Sequence, residues 1–306
     1  MSSAANDTPI AAAAPVAPQS PWRLFASEFA ESRVALAGLA LLATLVFIAV
    51  AAPLISPQNP YDLAQLDVLD SKLAPGAQSA GKTYWLGTDD QGRDMLSGIF
   101  YGLRISLSVG VASTVIALAL GLVLGLAAAY FEGWVDTAIM RIADIQLSFP
   151  AILIALILLA MMGQGTGKII AALVTVQWAY YARTVRSAAI VERRKEYVEA
   201  ARALALSKPR IVFRHLLPNC LPPLIVVATV QVAHAISLEA TLSFLGLGLP
   251  ITEPSLGLLI ANGFQYLLSG LYWISFYPGL ALLATIVSIN LVADQLRDVL
   301  NPRLKK

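Results

Sequence analysis

Residues 183–218 read RTVRSAAIVERRKEYVEAARALALSKPRIVFRHLLP, a polar and strongly basic stretch between long apolar runs. Its Ala, Glu, Arg and Leu content favours a helix from Arg186 through Leu206. Ser207-Lys208-Pro209 then supplies a capping hydroxyl and a proline suited to the first turn of a second helix, which Pro218 ends. Lys195/Glu199 and Glu199/Arg202 are spaced to pair along one face. In the second helix Arg210 and Arg214 share a face opposite Ile211, Val212, Leu216 and Leu217, so one side packs and the other presents charge. A helix-patterned hydrophilic segment between two spans places a surface outside the bilayer, where a soluble partner can meet it. The plainer reading is a solvated basic face obeying the positive-inside bias.

The flanking composition fixes the class. The chain is 58% hydrophobic and only 13% charged, against about 25% charged in ordinary soluble domains, so it reads as an integral membrane protein. Runs at 34–55, 104–129, 137–162, 169–187, 220–245 and 273–293 are each long enough for a spanning helix, which predicts six spans. No ten-residue apolar/polar alternation occurs, so the expected fold class is all-α, a polytopic helix bundle rather than a β-barrel. Gly121 and Gly125, four residues apart, either allow two backbones to approach closely or are ordinary membrane-helix composition.

Residues 1–33 read as a cytoplasmic tail, its first 20 residues rich in Ala, Pro and Ser and expected to be disordered. The apolar run beginning near Val34 is long enough to span and lies far from the start, so it reads as a retained anchor rather than a cleaved signal. Residues 34–102 hold the first span and an external segment, 103–294 the transmembrane core with the cytoplasmic loop 188–218, and 295–306 a second cytoplasmic tail. Basic residues concentrate in 183–214 and at Arg297, Arg303, Lys305 and Lys306, whereas 56–94 is acidic, so both termini and the loop are expected to face the cytoplasm. The lone Cys220 excludes an internal disulfide and a cysteine metal cluster.

Gly163-Gln164-Gly165-Thr166-Gly167-Lys168 has Met162 and Ile169 where a phosphate loop needs Gly and Ser or Thr, so it reads as an outward connector. Asp89-Asp90-Gln91-Gly92-Arg93-Asp94 lacks calcium-loop spacing and reads as a polar turn and helix cap, and Arg141 is spaced to pair with Asp144 or Asp136. Trp85, Trp134 and Trp273 are expected at the membrane interface. Glu239, inside the fifth run, is either a structural anchor or a contact to the path or gate. His234 is five residues away and on another face, so no metal pair is expected.

Glu199-Ala200-Ala201 with Leu217-Pro218 downstream resembles the Glu-Ala-Ala-x-x-x-Gly-x(9)-Ile-x-Leu-Pro loop of ABC importer permeases. Ala205 stands at the motif's glycine and His215 at its isoleucine. The bend is therefore expected at Ser207-Lys208-Pro209, with Ala205→Gly mattering less than Pro209→Ala. Residues 85–94 (WLGTDDQGRD), 102–107 (GLRISL), 242–248 (LSFLGLG) and 296–303 (LRDVLNPR) are similar to the C-type subunit of dipeptide/oligopeptide permeases, over about Ser20 to the end.

The resemblance implies a type I ABC importer permease fold in the bacterial inner membrane. It implies that the chain is no enzyme, binds no cofactor and no nucleic acid, and forms half of a path for peptides or similar small solutes. The partners implied are a homologous permease subunit in a heterodimer, two ATP-binding subunits that use ATP and Mg, an extracytoplasmic solute-binding protein, and membrane lipid. The coupling residues it implies are Glu199, Ala200, Ala201, Ala205, Arg210, Arg214, Leu217 and Pro218. A secondary transporter would need matching inverted halves, which are not evident, and a membrane hydrolase would need a nucleophile with a base or a metal cluster.

Overall fold

The computed structural model describes residues 20–250 and 252–300; the expected disorder of residues 1–19 and the last six residues of the C-terminal tail lie outside them. The order is α1 (Pro21–Ala30), α2 (Arg33–Ile55), a small hairpin β1 (Ala77–Ser79) and β2 (Lys82–Tyr84), then α3 (Met95–Phe131), α4 (Gly133–Leu147), α5 (Ala151–Met162) and α6 (Thr166–Glu192). There follow α7 (Glu196–Ala203), α8 (Lys208–Ile211), a π turn over Val212–Leu216, α9 (Leu217–Phe244), α10 (Leu256–Phe264) and α11 (Trp273–Leu300).

Four helical stretches among the described residues are long and apolar enough to cross a membrane: α2, α3, the continuous Lys208–Phe244 rod and α11. The bent pair α4–α5 makes a fifth if counted as one span. The expected six-span count is thus not confirmed on length and composition. The 137–162 run is broken because Pro150, at the N-cap of α5, cannot donate to α4, and the two pieces meet at 91°. The 169–187 run lies within α6, which carries Lys168, Gln177, Arg183 and Arg186 and is not among the apolar candidates. α6 needs little lipid-facing surface, since Ile169, Leu173, Val176, Trp178, Tyr181 and Val185 are all buried.

The most extensive helix contact is α3 on α6, and the two glycines create it. A Cβ at Gly121 would lie 2.4 Å from the Tyr181 Cβ and 2.7 Å from the Trp178 carbonyl, and one at Gly125 would lie 2.5 Å from the Ala182 carbonyl. The close-approach reading of this pair is therefore the one the fold uses.

The expected tails are helical in part. Residues 21–30 of the expected N-terminal tail form α1, which packs on α11 through a hydrogen bond from Gln295 Nε2 to the Glu28 carbonyl at 3.1 Å. α11 itself runs to Leu300. α3 starts at Met95 because Asp94 caps it, accepting from the Ser97 amide at 2.8 Å and the Ser97 hydroxyl at 2.6 Å.

The 56–94 segment is a packed cap rather than a plain connection. Tyr84 donates to Asp70 at 2.8 Å, and Asp89 Oδ1 accepts from the Gln91 and Arg93 amides at 2.8 and 2.9 Å, the polar turn expected there. Trp85 and Trp134 are exposed as expected of interfacial anchors, but Trp273 is buried and donates to the Thr88 carbonyl at 3.2 Å, tying α11 to the cap.

Candidate functional site

The loop between α6 and α9 folds as a helix pair with its own small core. Val198 and Ala201 of α7 pack with Ile211 and Leu216, and Leu206 and Val212 close over them. Lys195 does not pair with Glu199. As the N-cap of α7 it has extended backbone, outside the helix on which four-residue spacing would align the two, and it reaches back to Glu192 at 2.6 Å. Glu192 also accepts from the Tyr197 hydroxyl at 2.6 Å, which pins the start of α7 to the end of α6. Glu199 makes no ion pair among the described residues and is exposed, as is Ala200.

The bend lies at Ala205, not at Ser207-Lys208-Pro209. Ala205 has φ +54°, in the left-handed region, directly after the α7 cap residue Leu204. The Leu206 amide donates to the Ala201 carbonyl at 3.1 Å and the Ala205 amide to the Arg202 carbonyl at 2.9 Å, the double closure of a Schellman motif. Ala therefore adopts the conformation for which glycine is the usual residue, while Ser207 and Pro209 start α8.

Pro218 does not end the second helix. Pro218 cannot donate to the preceding turn, and a π turn stands directly before it, in which the Leu217 amide bonds to the Val212 carbonyl; Pro222 and Pro223 lie inside α9. Asn219 Nδ2 donates to the His215 carbonyl at 2.8 Å, so the rod continues into α9 unbroken. Leu217 packs with Leu126, Ala129, Val185, Ala189, Cys220 and Leu224, linking the loop to α3, α6 and α9.

Arg210, Arg214 and Pro218 are exposed and Ala201 is buried. Two exposed apolar residues, Leu204 (74%) and Phe213 (65%), stand among these charges and were missed by the sequence reading. Their signal is an apolar side chain in a basic segment that is out of register with the packed set Val198, Ala201, Ile211 and Leu216.

Beside the loop, α4 is held to α6 by partners other than the expected one. Asp136 takes a two-pronged contact from Arg186, Asp144 pairs with Arg183 at 2.5 Å, and Glu132 pairs with Arg193. Arg141 is exposed and makes no ion pair among the described residues. At Asp136 the bidentate Arg–carboxylate fit across two packed helices displaces a same-helix partner, and at Asp144 a single contact from Arg183 of α6 does so.

Glu239 is fully buried and joins two helices, accepting from Ser106 of α3 at 2.9 Å and Ser243 of its own helix at 2.7 Å. His234 is exposed, away from it. At the same end of the bundle the glycine-rich connector is a turn between α5 and α6. Gln164 donates to the Gly246 carbonyl at 2.8 Å and Thr166 to Glu253 at 2.7 Å. Tyr61 meets Tyr101 edge to face at 5.2 Å, and burial together with the Glu253 carboxylate pushes its phenol up to about 12, with Arg104 opposing.

Comparison with known proteins gives this architecture a family. Residues 121–306 match the binding-protein-dependent transport system inner membrane component family, and residues 20–75 match the N-terminal TM domain of oligopeptide transport permease C. A putative peptide transport system permease protein of Brucella suis biovar 1 is 40% identical over 94% of each chain. The dipeptide transport system permease protein of Alkalihalophilus pseudofirmus is 36% identical, over 94% of this chain and 91% of that one. The glutathione transport system permease protein of Pectobacterium atrosepticum is 35% identical, over 94% and 93%. Among solved structures, an inward-facing form of the MetNI methionine ABC transporter superposes with TM-score 0.56 at 20% identity, over 68% of this chain and 98% of that one. An amino acid ABC transporter solved with histidines gives 0.51 at 13%, over 65% and 92%. With its family profile matched over more than half the chain and its relatives matched nearly end to end, the protein belongs to the binding-protein-dependent transport system inner membrane components and is a permease subunit of an ABC importer, not an enzyme.

Proposed function

We propose that this chain forms one half of a path for peptides in an inner-membrane importer, and that the α7–α8 pair is the surface on which a separate ATP-hydrolysing subunit docks. The observation that carries the reading is the loop's own core, Val198, Ala201, Ile211 and Leu216, fixed to α6 through Glu192 and continuous with α9. A rigid helix pair between two spans can turn closure of an ATPase dimer into rocking of the bundle. Glu199, Ala200, Ala205, Arg210, Arg214 and Pro218 supply exposed groups, Leu204 and Phe213 add apolar anchors, and Ala201 and Leu217 position the pair from behind.

In this reading a homologous permease subunit completes the path, two ATP-binding subunits use ATP and Mg, and an extracytoplasmic solute-binding protein delivers the cargo. The relatives' names support peptides as the cargo class. Both termini face the cytoplasm, and the crossings are α2, α3, α4–α5, α6, α9 and α11. Glu239 is a structural tie between α3 and α9, since the serines that bond to it include Ser106 of α3 and Ser243 of α9.

The test is co-purification. Glu199→Lys should insert at wild-type level yet retain far less of the ATP-binding subunits, because it reverses charge on an exposed face; wild-type retention would refute the docking assignment. Mass spectrometry of the ligand bound to the cognate solute-binding protein checks the cargo class.

A further inference from the structure

Arg104 belongs to the Gly102-to-Leu107 stretch and has no part in the coupling loop. It lies nine residues into α3, about 14 Å from the helix start at 1.5 Å per residue. α3 is 37 residues long, about 55 Å, and overreaches a 30 Å hydrocarbon core by about 25 Å, so Arg104 falls at the outer boundary of the span. It is exposed and makes no ion pair among the described residues. At that boundary an arginine reaches interfacial water, so its charge is open to a ligand arriving from outside.

Its surroundings are polar and built. Gly102 seats α3 against the 255–256 backbone, where an added Cβ would lie 3.2 Å from the Leu256 nitrogen and 3.4 Å from the Ser255 carbonyl carbon. That contact brings the outer part of α3 beside Glu253, only two residues before Ser255 and held by Thr166 at 2.7 Å. Tyr101, one turn before Arg104, packs edge to face on Tyr61 at 5.2 Å. The Tyr61 phenol senses the negative field of Glu253 and the positive field of Arg104 together. Arg104, one turn beyond Tyr101 on α3, and Glu253, two residues before the backbone that Gly102 contacts, therefore lie near the same Tyr61–Tyr101 pair, and no ion pair joins them among the described residues.

We propose that Arg104 and Glu253 form an entry site for zwitterionic short peptides, Arg104 receiving the terminal carboxylate and Glu253 the terminal ammonium, with Tyr61 and Tyr101 as the wall between them. A guanidinium suits a carboxylate because its fork donates two parallel hydrogen bonds, and a carboxylate fixed by Thr166 is a ready acceptor for an ammonium. The inference rests on the peptide-import reading and deepens it, since it places part of peptide selection on the permease itself.

The experiment uses the complete transporter in liposomes, with its solute-binding protein, and follows uptake of a labelled dipeptide alongside ATP hydrolysis. Arg104→Gln and Glu253→Gln should each lower dipeptide uptake per ATP hydrolysed by roughly tenfold, the scale of one lost charge-assisted hydrogen bond. Arg104→Lys, which keeps the charge and loses the fork, should recover only part of the loss, and all three variants should assemble with the ATP-binding subunits at wild-type yield, which a folding defect would not allow. Wild-type coupling in both glutamine variants overturns the inference. So does an Arg104→Gln loss that disappears when phosphatidylglycerol is replaced by neutral lipid, which would make Arg104 a lipid-headgroup anchor. A wild-type complex that imports another solute and no dipeptide overturns the peptide reading and this site together, whereas wild-type dipeptide uptake with unaltered variants overturns the site alone.

Discussion

The Leu206 amide donates to the Ala201 carbonyl across 3.1 Å, and that bond closes the turn that aims α8 back across α7. Ala205, inside the closure, carries φ +54°, so the turn depends on an L-residue in a conformation that costs it roughly 1–2 kcal/mol.

Ala205→Gly should therefore stabilise the loop. Relief of the left-handed cost exceeds the entropy glycine adds to the unfolded chain, for a net gain of about 0.5–1 kcal/mol. Ala205→Val should do the reverse, because a β-branched residue at positive φ is a steric outlier. Pro209→Ala, at the start of α8 where no helical hydrogen bond is lost, should cost only about 0.5 kcal/mol. Thermal unfolding of the three variants in detergent, paired with stimulated ATP hydrolysis, checks this order. A severe loss with Ala205→Gly would refute the turn geometry.

Gly121→Val should fail at the α3–α6 contact. Its Cβ would press on the Tyr181 Cβ and the Trp178 carbonyl, and backbone cannot step aside as a side-chain end can, so the cost lies at or above the 1–3 kcal/mol typical of overpacking. Gly167→Ala meets nothing within 4 Å and is the control. Yields of monodisperse protein from the two variants should differ sharply.

Ser106→Ala should destabilise by about 1–3 kcal/mol, since it leaves a fully buried Glu239 one donor short. A double-mutant cycle with Ser243→Ala should be non-additive because both hydroxyls serve one carboxyl group. Additive losses in unfolding temperature would contradict a shared node.

Burial pushes the Asp89 carboxyl up from 3.8 to about 6, against the opposing backbone bond and charge of Arg93. The fold thus favours the protonated acid. That contribution, at most about 3 kcal/mol, is fully present below 3.8 and is lost as pH rises through about 6. Asp89→Asn keeps an oxygen for the Gln91 and Arg93 amides, so the variant should lose less stability than the parent between pH 4.5 and pH 7, read from unfolding temperatures at the two values. Equal losses would count against the buried acid as the cause.

Orientation is checked by labelling. Gln78→Cys on the hairpin should react with an impermeant thiol reagent in intact spheroplasts, and Ser207→Cys should react only after permeabilisation, given that both positions are exposed on the protein. The reversed pattern would invert the topology.

The sequence by itself determined the membrane class and the apolar runs of α2, α3, α9 and α11, because apolar length is a local property, whereas the expected 137–162 span is bent and the helix expected from Arg186 through Leu206 is split between Glu192 and Glu196. It also carried the family through Glu199-Ala200-Ala201 and the dispersed permease stretches. Tertiary structure alone decided that Arg183 and Arg186 reach Asp144 and Asp136 rather than leaving them to Arg141, that Trp273 is buried under the cap, and that Glu239 ties α3 to α9. It also decided that the bend falls at Ala205, since the downstream proline offered an equally good local stop and only closure of the Val198, Ala201, Ile211 and Leu216 core selects between them. Each of these outcomes depends on which helix faces which, and spacing along one chain segment carries no record of a partner 39 to 185 residues away.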